Sequence, residues 1–162
     1  VEETGEKILH VNPSKEKGIE LTLQVAEQMP EQEFILAGTI DNQEIQEKVD
    51  ELENVESLGY VEDMKKAYRQ TRIVLMPSKW EEPYGRIPIE AGASGIPTIA
   101  TNKGGLPESV GNEELLIENA EDAVEKISEV LDNYSEYSDK AHENAQEKEK
   151  SSQLNEFRRL IV

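Results

Sequence analysis

The sequence contains no cysteine and few aromatic residues. None of its 162 residues is Cys, and Phe, Trp and Tyr together make up 5% of the chain. The absence of cysteine excludes a disulfide framework, a thiolate metal site and redox chemistry on sulfur. The two histidines, His10 and His142, lie far apart in the sequence and do not form a ligand cluster. We expect each of them to have a structural or surface role.

Long apolar runs and an excess of basic residues are also missing. No stretch approaches the length of a membrane span, and no signal peptide is recognisable, so we expect a cytoplasmic chain that does not insert into a membrane. Lys and Arg number 17 against 35 acidic residues, which gives a net charge of −18. Nucleic acid and anionic membranes would be approached against like charge and are predicted not to be partners.

The negative charge is unevenly distributed along the chain. Residues 72–110 contain four basic and four acidic side chains, whereas the last 52 residues contain 6 basic and 14 acidic ones. An anionic ligand would therefore meet the least repulsion in the neutral middle of the sequence.

Short apolar runs alternate with helical patterns, which is typical of βαβ units and a mostly parallel sheet. The pattern predicts six strands at residues 7–11, 33–37, 55–58, 73–76, 98–100 and 115–117. It predicts helices at residues 18–29, 42–53, 62–70, 85–94, 120–131, 135–147 and 152–160. Residues 139–150 are almost all polar and are predicted to form a solvated helix. The whole chain is thus interpreted as one Rossmann-like, three-layer α/β domain. Ligands of such sheets bind beyond the carboxyl ends of the strands, at the switch point.

The loop after the fourth predicted strand carries the most informative pattern. Gly85 opens a helix whose first turn contains Pro88, so the amides of Gly85, Arg86 and Ile87 are left free at the positive end of the helix dipole. Free amides and an arginine at this position favour an anion site. Glu82 and Glu90 flank these amides and suit the hydroxyl groups of a sugar. The pattern therefore indicates a ligand that joins phosphates to polyols.

The segment from Glu82 to Pro97, EPYGRIPIEAGASGIP, resembles the E-x7-E signature of the group 1 glycosyltransferases. These are retaining enzymes of the GT-B fold, built from two Rossmann-like domains. Three further segments are similar to motifs of the same family: Lys15 to Gly18, Leu58 to Val61, and the GG-x-PE loop from Gly104 to Glu108. The resemblance covers residues 7–160. It corresponds to the C-terminal half of the GT-B fold, which binds the donor.

The resemblance implies a role for each matching residue. Glu82, the catalytic candidate, would contact hydroxyls of the donor sugar, and Glu90 would hold the ribose. Lys17 would pair with the phosphates. The sugar and diphosphate would lie on the backbone of residues 84–87, which are Tyr84, Gly85, Arg86 and Ile87.

The remaining matches line the edges of the implied site. Gly104 and Gly105 would allow close approach from the other side of the crevice. Tyr60 and Val61 would line the nucleotide base. Protein groups, without a metal or a cofactor, would stabilise the leaving diphosphate, and the sequence contains no D-x-D run.

Two features depart from the family pattern. Asn12 and Pro13 stand where the family has glycine and a diphosphate-binding arginine, and Lys15, Lys17 or Arg86 would have to compensate. We also expect the acceptor-binding N-terminal domain to lie outside this chain, which alone would then be inactive. Association with a membrane surface through that domain is left open. Base, sugar, acceptor, pathway and oligomeric state are not indicated by the sequence.

Alternatives to donor binding remain. A non-catalytic nucleotide-binding or scaffolding module of the same fold is favoured by Asn12 and Pro13. A dinucleotide-dependent oxidoreductase is disfavoured because no G-x-G-x-x-G follows the first strand. Trp80 and Tyr84 flank the central loop, where each would either stack on a sugar or base or pack against the sheet.

Overall fold

The structure is a computed structural model that describes residues 5–83 and 85–161, except for the side chains of residues 153–159 and 161. Six parallel strands form one sheet in the order β3-β2-β1-β4-β5-β6. The strands are β1 (Lys7–Val11), β2 (Phe34–Ala37), β3 (Val55–Gly59), β4 (Thr71–Met76), β5 (Thr98–Thr101) and β6 (Leu116–Ile117). The predicted fold class, a Rossmann-like α/β domain with about six strands, is confirmed.

Helices cover both faces of the sheet, as its continuous apolar strands require. The helices are α1 (Ile19–Gln28), α2 (Gln43–Glu51), α3 (Met64–Tyr68), α4 (Arg86–Ala93), α5 (Leu106–Val110), α6 (Ala120–Asp132) and α7 (Tyr134–Ile161). α1, α2, α5 and α6 contribute to the core on one face, and α3 and α4 contribute to the core on the other. Each fully buried Leu or Ile in these cores contributes about 1.5–3 kcal/mol.

The predicted helices differ most from the structure in three places. α3 has five residues where nine were predicted, because Asp63 caps its N-terminus and β4 already begins at Thr71. The short helix α5 was missed, since its sequence is interrupted by Pro107, which lies in the first turn and does not break a helix there. The two helices predicted after residue 134 are one helix, α7, because no glycine or proline separates them.

α7 is also more than the solvated helix that its polar sequence predicts. Ala145 is 3% exposed, and Ala141 and Ala145 pack against Gly92 of α4. A Cβ atom on Gly92 would lie 2.8 Å from the Ala141 carbonyl oxygen. Gly92 therefore allows the close approach of α7 to α4.

α4 ends in a Schellman motif. Gly95 has φ +73°, its amide donates to the Gly92 carbonyl, and the Ile96 amide donates to the Ala91 carbonyl. Glycine is the residue most often found in this left-handed position at the end of a helix.

His10 lies in the core near the carboxyl end of β1. It is 1% exposed, and its Nδ1 lies 2.7 Å from the hydroxyl of Thr22 on α1. Burial, and secondarily the nearby charge of Lys17, lowers the pKa of His10 from 6.5 to about 4. The prediction of a structural role agrees with this environment.

We predict that His10 makes the protein less stable as the pH falls from 6.5 to 4. The unfolded chain binds the imidazole proton more readily than the folded chain. His10 therefore does not lower the free energy of unfolding above pH 6.5, and lowers it progressively as the pH falls towards the pKa of the folded state. Between pH 6.5 and 4, the free energy of unfolding measured in urea should fall by about 3 kcal/mol more in the wild type than in His10→Gln. His142→Gln, at the exposed histidine, is the matched control. Parallel curves for wild type and His10→Gln would contradict the prediction.

Candidate functional site

The candidate site lies at the carboxyl ends of β1 and β4, where the strand order reverses. β2 and β3 extend from β1 in one direction, and β4, β5 and β6 extend in the other. The loop after β1 (residues 12–18) and the loop after β4 (residues 77–85) therefore lie side by side. The amide of Lys79 donates to the Glu16 carbonyl at 2.9 Å and joins the two loops directly.

Glu82 is buried at this junction and paired with a cation. Its side chain is 10% exposed, and its Oε1 accepts hydrogen bonds from Lys17 Nζ and, at 3.3 Å, from the Ser78 hydroxyl. A buried carboxylate needs such compensation. The structure thus brings two of the predicted site residues together. The sugar-binding role of Glu82 and the phosphate-binding role of Lys17 stay predictions.

Glu90 lies on the second turn of α4 and has a neutral partner. Its Oε2 accepts a hydrogen bond of 3.0 Å from the hydroxyl of Tyr68, the last residue of α3. Burial, together with the negative charge of Glu90, raises the pKa of Tyr68 well above its usual value. Tyr68 was not predicted as a site residue, because a tyrosine that ends a short helix gives no signal of its own in the sequence.

The two glutamates have partners on opposite faces of the sheet. Tyr68 packs in the core beneath α3 and α4, whereas Lys17 precedes α1 on the other face. A ligand that reaches both carboxylates would therefore lie across the carboxyl edge of the sheet.

The N-terminus of α4 separates these carboxylates. Gly85 is the N-cap, Arg86 begins the helix, and Pro88 lies in its first turn, as predicted. Within the described ranges, no residue accepts a hydrogen bond from the amides of Gly85, Arg86 or Ile87. Tyr84, which was predicted to contribute its backbone, lies outside the described residues.

Gly85 is needed for packing within the domain. A Cβ atom at this position would lie 2.0 Å from the hydroxyl oxygen of Ser109 on α5. The absence of a side chain at Gly85 therefore permits the contact between α4 and α5. The free amide of Gly85 remains a candidate for ligand binding.

Gly104 and Gly105 form hydrogen bonds with the loop that carries Glu82. Gly104 has φ +55°, and a Cβ atom there would lie 2.3 Å from the Glu82 carbonyl oxygen. The Gly105 amide donates to that oxygen at 2.6 Å, and the Gly104 amide donates to the Glu81 carboxylate at 2.5 Å. The double glycine therefore permits close approach of the Glu82 loop, and its predicted contact with a ligand is untested.

Tyr60 and Val61 follow the edge strand β3. Tyr60 is 80% exposed, and Val61 packs against the same core that contains Tyr68. Val61 thus belongs to the face of the sheet that also holds the partner of Glu90, whereas Tyr60 extends into solvent. Whether they bind a base stays a prediction.

Asn12 and Pro13 form a tight turn after β1. Asn12 has φ +59° and is the only residue other than glycine with positive φ in the described ranges. Asparagine tolerates this conformation, which explains how it replaces a glycine. Pro13 is buried beside Gly38, where a Cβ atom would lie 2.9 Å from the proline ring.

Three cations were expected to compensate for the arginine that Pro13 replaces. Lys15 lies 3.9 Å from Glu20 and 3.8 Å from Glu44, and Lys17 is paired with Glu82. Arg86 is exposed, and no carboxylate of the described residues lies within ion-pair distance of it. Arg86 is therefore the most available of the three for an incoming anion.

The fold and these side chains define a Rossmann-like α/β domain with a cluster of polar residues at its switch point. The chain belongs to the glycosyl transferases group 1, a family that matches residues 2–148. Among the described residues, no helix combines the length and apolar character that a membrane crossing requires.

Individual relatives cover only part of the chain. An uncharacterized 42.6 kDa protein in the cps region of Klebsiella pneumoniae is 34% identical over 96 residues, which are 57% of this chain and 25% of that protein. A D-inositol 3-phosphate glycosyltransferase of Corynebacterium kroppenstedtii is 38% identical over 64 residues, 38% of this chain and 14% of that enzyme. The matched segments are thus a quarter or less of these relatives.

Solved structures share the fold over most of the chain. Anabaena Alr3699/HepE in complex with UDP and glucose has a TM-score of 0.79 at 21% identity, over 89% of this chain and 44% of that chain. The same protein in complex with UDP-glucose has a TM-score of 0.76 at 25% identity, over 88% of this chain and 43% of that chain. WaaG, a glycosyltransferase involved in lipopolysaccharide biosynthesis, has a TM-score of 0.69 at 17% identity, over 90% of this chain and 43% of that chain. The chain spans less than half of each structure.

We predict that Lys17 stabilises the domain through Glu82. Lys17→Met should lower the free energy of unfolding by about 1–3 kcal/mol, because it leaves a buried carboxylate without its cation. Glu82→Gln in the Lys17→Met background should recover part of that loss. Urea unfolding of the two single variants and the double variant measures the coupling. Strictly additive effects would show that the pair does not contribute.

Proposed function

We propose that this chain binds the nucleotide diphosphate-sugar donor of a retaining glycosyl transfer, as the C-terminal domain of a GT-B enzyme. The observation that carries the proposal is the placement of two carboxylates on either side of the α4 N-terminal amides, for which the described residues supply no hydrogen-bond acceptor. Membership of the glycosyl transferases group 1 supports transferase chemistry. The complexes of Anabaena Alr3699/HepE with UDP and UDP-glucose support a nucleotide sugar as the ligand.

The charges of the crevice suggest how such a donor lies. The diphosphate would lie over the amides of Gly85, Arg86 and Ile87, where the helix dipole and the Arg86 guanidinium favour negative charge. Glu90, on one side, would accept hydrogen bonds from the ribose. Glu82, on the other side, would accept them from the sugar.

Lys17 can donate hydrogen bonds to Glu82 and to a phosphate at the same time. A lysine ammonium group has three donors, and Glu82 Oε1 occupies one of them in the structure. The ion pair therefore need not break when a diphosphate arrives. The same ammonium would then neutralise charge on the departing diphosphate, which is the electrostatic assistance that such a transfer needs.

The remaining parts of the reaction lie beyond these residues. We propose that a second, N-terminal domain supplies the acceptor site. No metal or cofactor enters the proposed mechanism, and this expectation and a cytoplasmic location stay predictions. A non-catalytic nucleotide-binding module is the second candidate, and the loss of the arginine after β1 to Asn12 and Pro13 is the observation that favours it.

The donor site predicts that the chain binds nucleoside diphosphates and that Glu90→Ala weakens the binding. Loss of one carboxylate that accepts ribose hydroxyls should lower affinity about tenfold. Calorimetric titration with UDP, GDP, ADP and their hexose conjugates gives the constants. Glu125→Ala, at an exposed glutamate on α6, makes the same charge change away from the site and is the matched control. Failure of every nucleotide to bind at millimolar concentration would exclude the donor site.

The proposed division between two domains predicts binding without turnover. The 162-residue chain should bind the donor, yet release no nucleoside diphosphate when simple sugars are offered as acceptors. A coupled assay for nucleoside diphosphate release measures this. Transfer by the chain alone would show that its own residues complete the active site.

A further inference from the structure

Trp80 is the single tryptophan of the chain, and it projects into solvent on the loop that carries Glu82. The indole side chain is 55% exposed. In the described part of the chain, the other large apolar side chains with comparable exposure are Tyr60, after β3, and Leu160, near the end of α7. The alternative that Trp80 packs against the sheet is therefore wrong.

The backbone of Trp80 is held by hydrogen bonds although its side chain is exposed. Its amide lies 3.2 Å from the Ser78 hydroxyl and 3.3 Å from the Glu16 carbonyl, and its own carbonyl lies 3.2 Å from the same hydroxyl. Ser78 is fixed in turn, because Thr101 donates a hydrogen bond of 2.6 Å to its carbonyl. An aromatic ring on such a restrained backbone loses little conformational entropy when a ligand covers it.

The Ser78 hydroxyl also places Trp80 close to Glu82. It lies within 3.3 Å of the Glu82 carboxylate as well as of both backbone groups of Trp80. The carboxylate of Glu82 and the backbone of Trp80, which carries the exposed indole, are thus anchored at one point. Ser78 was not predicted as a site residue, although a small hydroxyl residue in the loop that follows a central strand is well placed to organise a site at the switch point.

A hexopyranose ring has the two surfaces that this pair recognises. Its hydroxyl groups lie around the edge, where a carboxylate accepts hydrogen bonds, and its C–H groups form apolar patches on the faces, which suit an aromatic ring. A nucleoside diphosphate without a sugar offers no such combination at this end of the crevice.

We propose that Trp80 packs against the C–H face of the hexopyranose ring whose hydroxyls Glu82 binds, and so sets the sugar-dependent part of the affinity. The proposal rests on the proposed donor function and adds a residue to the sugar subsite. The hexopyranose ring belongs either to the nucleotide sugar or to an acceptor. Trp80 and Glu82 would bind both by the same contacts.

Tryptophan fluorescence tests the contact directly, because all of the signal comes from Trp80. UDP-glucose should quench or blue-shift the emission on a titration curve that matches calorimetric binding, whereas UDP should bind with little spectral change. A response to methyl α-glucoside without nucleotide would assign the ring to an acceptor instead. UDP-glucose binding without any change in the tryptophan emission would overturn the role of Trp80 alone. Absence of UDP and UDP-glucose binding by calorimetry would overturn the donor function, and the Trp80 proposal with it.

Variants test whether the contact contributes affinity. The ratio of UDP-glucose affinity to UDP affinity should fall about fivefold in Trp80→Ala and recover largely in Trp80→Phe, which keeps an aromatic face. Leu160→Ala, at the exposed apolar residue on α7, is the control and should leave the ratio unchanged. An unchanged ratio in Trp80→Ala would overturn the proposal. So would an equal fall for Trp80→Phe and Trp80→Ala, because the role assigned to the residue is that of an aromatic face. Circular dichroism of each variant confirms that the fold is retained.

Discussion

The pairing of β1 with β4 is the interaction on which the site depends. The two strands pair in parallel, with Ile8 opposite Ile73 and Leu9 opposite Val74, so their carboxyl ends lie together and their loops meet. The loops after β1 and β4 approach each other so closely that the residue type at position 18 is restricted. A Cβ atom on Gly18 would lie 1.8 Å from the Pro77 carbonyl oxygen, and its φ of +78° also favours glycine. The conformation of one loop thus depends on the other, and Lys17 and Glu82 are positioned together.

The second constraint is the burial of Glu82 in a chain of net charge −18. A carboxylate that is mostly removed from water would be unfavourable among so many acids unless a cation and a hydroxyl compensate it. Lys17 and Ser78 provide both, and they come from the loops that β1 and β4 bring together. The glycines at 104 and 105 complete the arrangement, because they let a third loop bond to the backbone of Glu82. The carboxylate is therefore preorganised by the fold before any ligand binds.

Sequence patterns predicted the parallel sheet and the α4 N-terminus, because each depends on local apolar periodicity or on the placement of a proline and a glycine. They did not predict contacts between distant segments. The Lys17–Glu82 pair, the Tyr68–Glu90 hydrogen bond and the fit of Gly85 to Ser109 join residues 65, 22 and 24 positions apart. Gly85 shows the difficulty most clearly. Its position predicted the start of a helix, but only the packed structure shows that Ser109 of α5 lies where a side chain at this position would be.

The two glutamates of the E-x7-E segment differ in their electrostatic environment, and the difference bears on how a ligand would be oriented. Glu82 is buried and faces an ammonium group, so its charge is largely compensated. Glu90 is exposed and faces a neutral phenol, so its charge extends into the crevice. A diphosphate placed beside Glu90 would be repelled, whereas the same group placed between the α4 amides, Arg86 and Lys17 would not. The phosphates of a bound donor should therefore lie towards Lys17, which leaves uncharged hydroxyl groups as the suitable neighbours of Glu90.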